Sequence, residues 1–434
     1  MRMARTVLPV AFAFTVMADP VSSVAYAIES TLRALDGDIS GLVPTMAAVI
    51  AIIGVIAATY HQLIGRFPRG GGGPEAVAHA FGEGWAFIPL GALLVDFTLT
   101  VAVSCAAGAS ALIAYVPSLE SLRTPIGLGL VVLVAAGVLL GQGGRVVFAI
   151  ATQVFIAVSV CVIVVAFVSP AVPSAAERAP VDAGGPLIFG PGLGAMLLAI
   201  PLGMALATGV EAPSNAIAQL PQLGDRGRRR LGRLTLWLMV GIVGVLTIAF
   251  SAVSVRLGTN LPPADSTFIA EVARQATGNG VLFAAFQACS ALLLLSAAAS
   301  SYLAGSGVLK ALATLGDGRQ GLVSSRFGRI NRFLIPEWGV ALVLVAAGML
   351  VAAGGREQRL VGFYAVAVFA SFLAATLACA RLSYRDGRRV ALVLNVVAAV
   401  LVAIMLGVNA TRLDGLVALL VSGAVALYLW RIWV

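Results

Sequence analysis

The sequence predicts an all-α membrane protein of 12 transmembrane helices, and three observations predict it. Of 434 residues, 60% are hydrophobic and only 11% charged, where a soluble domain is nearer one quarter charged. Mean hydropathy is +1.01. Apolar runs often exceed about eighteen residues and do not alternate, which fits spanning helices and argues against a β-barrel.

The spans run over about residues 7–34, 41–64, 85–117, 125–141, 146–168, 193–219, 234–256, 279–308, 336–354, 359–380, 390–408 and 413–431. Each is about 17 residues or longer, enough to cross a bilayer with some tilt. The first is interrupted at Ala18-Asp19-Pro20, with Ser22 and Ser23 following. The sixth is interrupted at Thr208-Gly209-Val210-Glu211-Ala212-Pro213-Ser214-Asn215. Proline removes a helical hydrogen bond and disfavours helix at the residue before it. Backbone freed at membrane depth is tolerated only where protein or a polar cavity satisfies it. Breaks at matching positions of two five-span halves are the sequence pattern of an inverted-repeat transporter with a midplane site. The expected organisation is a transport core over 1–383, with repeats at about 7–168 and 193–383. Two additional helices follow over 384–434. The loops are short and the sequence stops at Val434 just after the last span, so no extramembrane domain is expected.

Net charge is +9, from 27 arginines and one lysine set against 19 acids. In a soluble chain that balance would suggest nucleic acid; here the charges sit in short loops and read as topogenic, with no nucleic-acid partner expected. With the N-terminus inside, most basic residues fall inside. The largest clusters are Arg226, Arg228, Arg229, Arg230 and Arg233, then Lys310, Arg319, Arg326, Arg329 and Arg332. Both termini are therefore expected in the cytoplasm. Arg2 and Arg5 before the apolar run 8–17 imitate a signal peptide. No small-x-small cleavage site precedes Asp19, and removing the run would spoil the span count. The four cysteines lie in apolar spans without a CxxC and read as small buried apolar residues. His61 and His79 belong to no metal-ligand cluster visible in the sequence.

Three acids stand inside otherwise apolar spans: Asp19, Asp96 and Glu211. Each costs about 2.5–3.5 kcal/mol on insertion scales. With no basic partner read in the spans, their natural counter-charge is a cation from outside the chain. Asp19 at the first break either attracts that cation or caps the helix expected from residue 22. Tyr26, seven residues on, gates or coordinates, or simply packs with its polar tip satisfied. Asp96, Thr100 and Ser104 recur every four residues, on one helix face. They form a ladder of one carboxylate and two hydroxyls, the oxygens hard cations prefer. The alternative for both hydroxyls is a bond back to the carbonyl four residues earlier. Thr208 and Glu211 flank the second break. Thr208 adds an oxygen, and Glu211 either carries a proton or caps the second half-helix. Gly70-Gly71-Gly72-Gly73-Pro74 is not a P-loop, because no Gly-Lys-Ser/Thr follows, and reads as a permissive loop or hinge.

These motifs resemble those of a known group. Ala18-Asp19-Pro20-Val21-Ser22-Ser23-Val24-Ala25-Tyr26 is similar to the first-span motif of KimA-type potassium–proton symporters, and the wider KUP potassium-uptake relatives have an Asp and Tyr at that spacing. The stretch from Leu94 through Asp96 and Thr100 to Ser104 resembles their third span. Thr208-Gly209-Val210-Glu211-Ala212 resembles their sixth, and the 67–74 loop is also similar. The resemblance implies the amino acid–polyamine–organocation superfamily and a LeuT-type 5+5 inverted repeat with broken helices 1 and 6. It implies a cation pathway, and K+ ligation, by Asp19, Tyr26, Asp96, Thr100, Ser104 and Thr208, with proton coupling at Glu211. The transported K+ and H+ would be its substrates, with no cofactor, in a bacterial-type plasma membrane. The best-known KimA-type members carry a cytoplasmic C-terminal domain linked to dimerisation and cyclic di-AMP control. None is expected here, which leaves a homodimer and that regulation in doubt. Pro20 also departs from the commonest motif.

The leading expectation is a proton-coupled K+ importer. The runner-up is a proton-coupled amino-acid or polyamine permease of the same superfamily. Such permeases usually meet substrate with small, glycine-rich backbone at the first break, where this chain has Asp-Pro; polyamines or cationic amino acids would tolerate the acid. An intramembrane aspartyl protease also needs two membrane aspartates. Neither Asp19 nor Asp96 sits in the Tyr-Asp or Gly-x-Gly-Asp contexts such enzymes show, so no enzyme is expected.

Overall fold

The computed structural model describes residues 2–141, 145–169, 192–220, 222–314 and 321–434, without the side chains of 2–11, 145–146, 219 and 364–365. Arg319 of the second basic cluster lies outside the described residues. Regular structure among those described is helical, with no strand. The first span is built from α1 (Arg2–Ser22) and α2 (Val24–Ala34), the second from α3 (Leu42–Arg66). A short α4 (Gly72–Phe81) precedes α5 (Phe87–Tyr115), the third span. Spans four and five are α6 (Arg123–Leu139) and α7 (Arg145–Val168). The sixth is divided into α8 (Leu193–Gly203) and α9 (Ala212–Ala216). Then come α10 (Asp225–Leu257), a short α11 (Phe268–Thr277), α12 (Val281–Ala313), α13 (Glu337–Gly354), α14 (Glu357–Arg385), α15 (Arg389–Ala410) and α16 (Leu413–Trp433). Eleven stretches among the described residues are long and apolar enough to cross a membrane, and they correspond to the expected spans two to twelve. The first expected span is not among the eleven.

Span three is the centre of the bundle. Its apolar window is 67% buried and that of α14 is 69%, against 28% for α15 and α16, which lie at the periphery. The reason is in the residues: from Leu99 to Ala111 every side chain of α5 is buried, and most are Ala, Gly, Ser, Val or Cys. Without a hydrophobic force between helices in lipid, small side chains let helices approach and pack. α5 packs along α12 and α14. α1 packs on α7, α12 and α10, and α2 on α8 and α11.

The breaks differ from expectation in an instructive way. Asp19 and Pro20 stay inside α1, and the chain turns only at Ser23. Proline costs one N–H and kinks a helix without having to end it. The Ser22 hydroxyl donates to Asp19 O at 2.7 Å and Ser23 N to the same oxygen at 3.3 Å, so the helix is held together past the proline. Asp19 is therefore not the cap of α2: Ser23 takes that position, without a side-chain bond. In the sixth span the unwinding is larger. A 3-10 turn over Met204–Ala207 leads to extended Thr208, then Gly209 at φ +77°. Glu211 occupies the residue before α9 and makes no capping bond with its side chain.

The cysteines also divide. Cys105 and Cys379 are buried as expected, but Cys161 is exposed on α7 and Cys289 is partly so; all four are free thiols. An apolar helix facing lipid leaves its small residues exposed as readily as its large ones.

Candidate cation site

The second break touches α1 at Asp19 and Pro20. A Cβ on Gly209 would lie 2.7 Å from Pro20 Cγ and 3.3 Å from Asp19 Oδ2. Only glycine allows both the left-handed backbone and that approach. The first span's acid thus reaches the unwound backbone of the sixth.

Asp96 is 2% exposed and Glu211 5%, while Asp19 is half-buried. Each keeps at least one oxygen buried without a hydrogen-bond partner: Asp19 Oδ1, Asp96 Oδ1 and Glu211 Oε2. The three are close enough to repel one another. Asp96 feels Glu211 and Asp19, and Glu211 feels Asp19. No ion pair among the described residues includes any of them. They surround a space more than they chelate a point, since no three His, Cys, Asp or Glu among the described residues close into a metal-ligand group. Ionised carboxylates in an apolar interior cost several kcal/mol each unless compensated. Protons or an incoming cation are the two available forms of compensation.

The neutral oxygens are less uniform. Thr100 donates to Asp96 O at 2.9 Å, the back-bond that was the alternative to a ligand role. Ser104 has a buried hydroxyl with no partner. Thr208 donates to Ala205 O at 2.8 Å within its own turn. Tyr26 is buried in the first turn of α2, its hydroxyl 3.0 Å from Ser23 Oγ.

Three features escaped the sequence reading. The glycine run is not a free loop. Gly70, Gly71 and Gly72 all have positive φ, and Gly72 is buried against Asn215 Oδ1 and Ser214 Oγ, so the run is wedged beneath the second break. Tyr60 of span two is fully buried, its ring against Phe372 of α14 and its hydroxyl beside Gly73 of the glycine run. Its neighbours come from other helices, so no local signal marked it.

The third is Glu29, a fourth acid inside the first span and 2% exposed. It does have a basic partner: Arg33, one turn on, at 2.8 Å. That spacing was the missed signal. Its other oxygen accepts from Phe268 N at 3.0 Å. Nearby, buried Glu357 accepts from Ser110 Oγ at 2.6 Å, with Arg123 3.9 Å away. Glu120 receives Arg123 at 2.7 Å and Arg356 at 3.3 Å. Glu29, Arg33, Arg123, Ser266, Glu357 and Arg359 border a cavity of about 180 Å³ at this end of the bundle. It is the end opposite Arg66 and the arginine-rich start of α10.

Comparison with known proteins agrees with this architecture. A profile of the amino acid permease family matches residues 10–429. Potassium transporter KimA of Bacillus subtilis (strain 168) is 28% identical over 361 residues, which cover 82% of this chain and 58% of the relative. The chain therefore spans less than two thirds of that relative's length.

Proposed function

The chain belongs to the amino acid permease family, a family of transporters, and on that premise we propose that it is a proton-coupled potassium importer, a K+/H+ symporter. The observation that carries the reading is a set of three acids, each with a buried oxygen that has no hydrogen-bond partner among the described residues, one of them on the stretch of span one that meets the break of span six. The likeness to a potassium transporter supports K+ as the cation. In this reading Asp19 and Asp96 supply the charge that draws K+ from water. Tyr26, Thr100, Ser104 and Thr208 supply neutral oxygens along its path. Glu211 takes up the proton, which removes one of three mutually repelling charges and lets a single monovalent cation balance more of the rest. Spans one to five and six to ten form inverted repeats that rock about this site. Both termini lie in the cytoplasm, with the arginine-rich ends, in a bacterial-type plasma membrane.

Expression in a potassium-auxotrophic strain tests the reading. The wild-type chain should restore growth at limiting K+, and Asp96→Asn should not. Normal rescue by Asp96→Asn would rule the proposal out.

A second reading, proton-coupled transport of a polyamine or cationic amino acid, draws on the permease family itself. The Asp19 carboxylate beside Gly209 suits an ammonium group and repels a substrate carboxylate. Uptake of radiolabelled K+ analogue and amine by the same proteoliposomes separates the two.

A further inference from the structure

The connection between α12 and α13 carries a local conformation that the cation site does not explain. Leu334 has φ +64°, a region that residues with a bulky side chain rarely enter. Its side chain is 70% exposed. The backbone there is held, not slack. Leu334 N donates to Asn331 O at 2.9 Å, and Asn331 N donates to Ile335 O at 2.9 Å. Asn331 Oδ1 accepts from Phe333 N at 2.9 Å and from Ile335 N at 3.1 Å, and its Nδ2 donates to Leu139 O of α6 at 2.7 Å. A strained backbone persists only where its surroundings over-determine it. Here those surroundings hold an apolar side chain outward.

The neighbours of Leu334 give the surface its chemistry. Ile330, Phe333 and Trp338 are exposed with it, and exposed Arg326, Arg329 and Arg332 are interleaved with them. Arg332 lies over the Phe333 ring at 4.7 Å and Arg326 over the Trp338 ring at 5.8 Å. No ion pair among the described residues includes any of the three arginines. Across residues 321–340 the sequence sets them against a single acid, Glu337, so the patch is positive. In the α10 cluster, by contrast, Arg228 donates to Leu220 O and Arg233 to His61 O, inside the protein.

The patch stands at an end of the bundle. Leu312 and Leu322, on either side of the turn into it, pack with Phe87 where α5 begins and Leu429 near the end of α16. The headgroup layer of a bilayer begins at the ends of its spans, and side chains with an apolar body and a polar tip suit that layer. A leucine tip among unpaired cations fits a ligand with apolar chains and an anionic head. A second copy of the patch would set arginine against arginine.

We propose that the surface over residues 326–338 binds anionic phospholipid. Arg326, Arg329 and Arg332 meet the headgroup charge, and Leu334 and Phe333 enter the acyl boundary beside it. α13 lies close on α12, since a Cβ on Gly339 would stand 2.8 Å from Ser306 Cα, and α12 packs along α5. Lipid held here steadies the helix pair on which the Asp96 span rests.

Thermal unfolding of the purified full-length protein in neutral detergent, titrated with phosphatidylglycerol or with phosphatidylcholine of the same chains, tests the proposal. Wild-type melting should rise with phosphatidylglycerol and level off, and respond little to phosphatidylcholine. Each arginine near an anionic surface is worth about five-fold in affinity. The triple variant Arg326→Gln, Arg329→Gln, Arg332→Gln should therefore need about 100-fold more phosphatidylglycerol for the same rise. Arg326→Lys, Arg329→Lys, Arg332→Lys keeps the charge and should keep most of the response. Leu334→Asn suits the left-handed backbone and removes the apolar tip, so it should weaken binding about ten-fold. A wild-type titration in the glutamine variant overturns the proposal. So does an equal rise with phosphatidylcholine, or with glycerol phosphate and no lipid. A wild-type protein that ignores phosphatidylglycerol, is dimeric by light scattering and becomes monomeric in the glutamine variant gives the patch to a second copy and overturns the lipid. Should the glutamine variant not purify, salt replaces it. Between about 0.1 and about 1 M the screening length falls from about 10 to about 3 Å, so the wild-type rise should shrink sharply, and a rise that persists overturns the proposal.

Discussion

At one end of the bundle, Glu29, Glu120, Glu271 and Glu357 each meet an arginine; in its middle, Asp19, Asp96 and Glu211 meet none among the described residues. Both groups include carboxylates that are almost wholly buried, and both pay the same desolvation. The first group recovers it from fixed partners, with Phe268 N and Ser110 adding hydrogen bonds. Such a set is stiff: it ties α2, α5, the start of α6, α11 and α14 together and has no charge left to offer. The second group has unfilled oxygens and a glycine that lets the second break meet α1 at Pro20. Burial alone does not identify a transport site. In the proposed reading, the absence of an internal counter-charge among the described residues does, because the missing partner must then arrive and leave.

That contrast can be broken by substitution. The largest effect is expected from Asp96→Asn, which should lower K+ uptake by about 100-fold or more, since a charge-assisted contact and a central ligand are lost together. Yet the same variant should unfold at a higher temperature than wild type in K+-free buffer, because it deletes an uncompensated charge. Arg123→Ala should behave in the opposite way. Removing one partner of a buried pair costs about 3–5 kcal/mol, so thermal unfolding should fall clearly while the KM for K+ holds. A lower melting temperature for Asp96→Asn would erase the distinction between the two clusters. Gly209→Ala comes next. Backbone at φ +77° and a Cβ driven against Pro20 should cost about 1–3 kcal/mol and lower uptake without changing ion preference. Glu211→Gln should leave K+ transport largely insensitive to an inward proton gradient, read as uptake against external pH. The smallest change is expected from Arg33→Ala. That side chain is 39% exposed, and so accessible a pair contributes about 0–1 kcal/mol, a shift in melting temperature of a degree or two at most.

Much of this was legible beforehand because it depends on local residue character. Long apolar runs gave the spans, and an acid among them is an anomaly wherever it sits. Gly209 and Pro213 announced the second break correctly. Pro20 misled by three residues, since a proline removes one bond and the serines after it re-tie the helix. Other features were hidden by distance in the chain. Glu29 looks like an ordinary acid near a span end until Phe268, 239 residues away, donates to it. Tyr60 looks like an ordinary tyrosine until Phe372 and Gly73 close over it. The glycine run looks like slack until Ser214 and Asn215 fill the space beside it. In each case residue type hinted at chemistry, and only packing supplied the partner.

The central claim is that the unpaired acids await a cation. Thermal unfolding of the purified protein, followed while KCl replaces choline chloride at constant ionic strength, tests it most directly. A ligand of the folded state at 100 times its Kd adds about 2.7 kcal/mol, so wild-type melting should rise with K+ and level off, while Asp96→Asn stays flat. An equal rise in choline chloride, or a K+ response preserved in Asp96→Asn, would contradict the account.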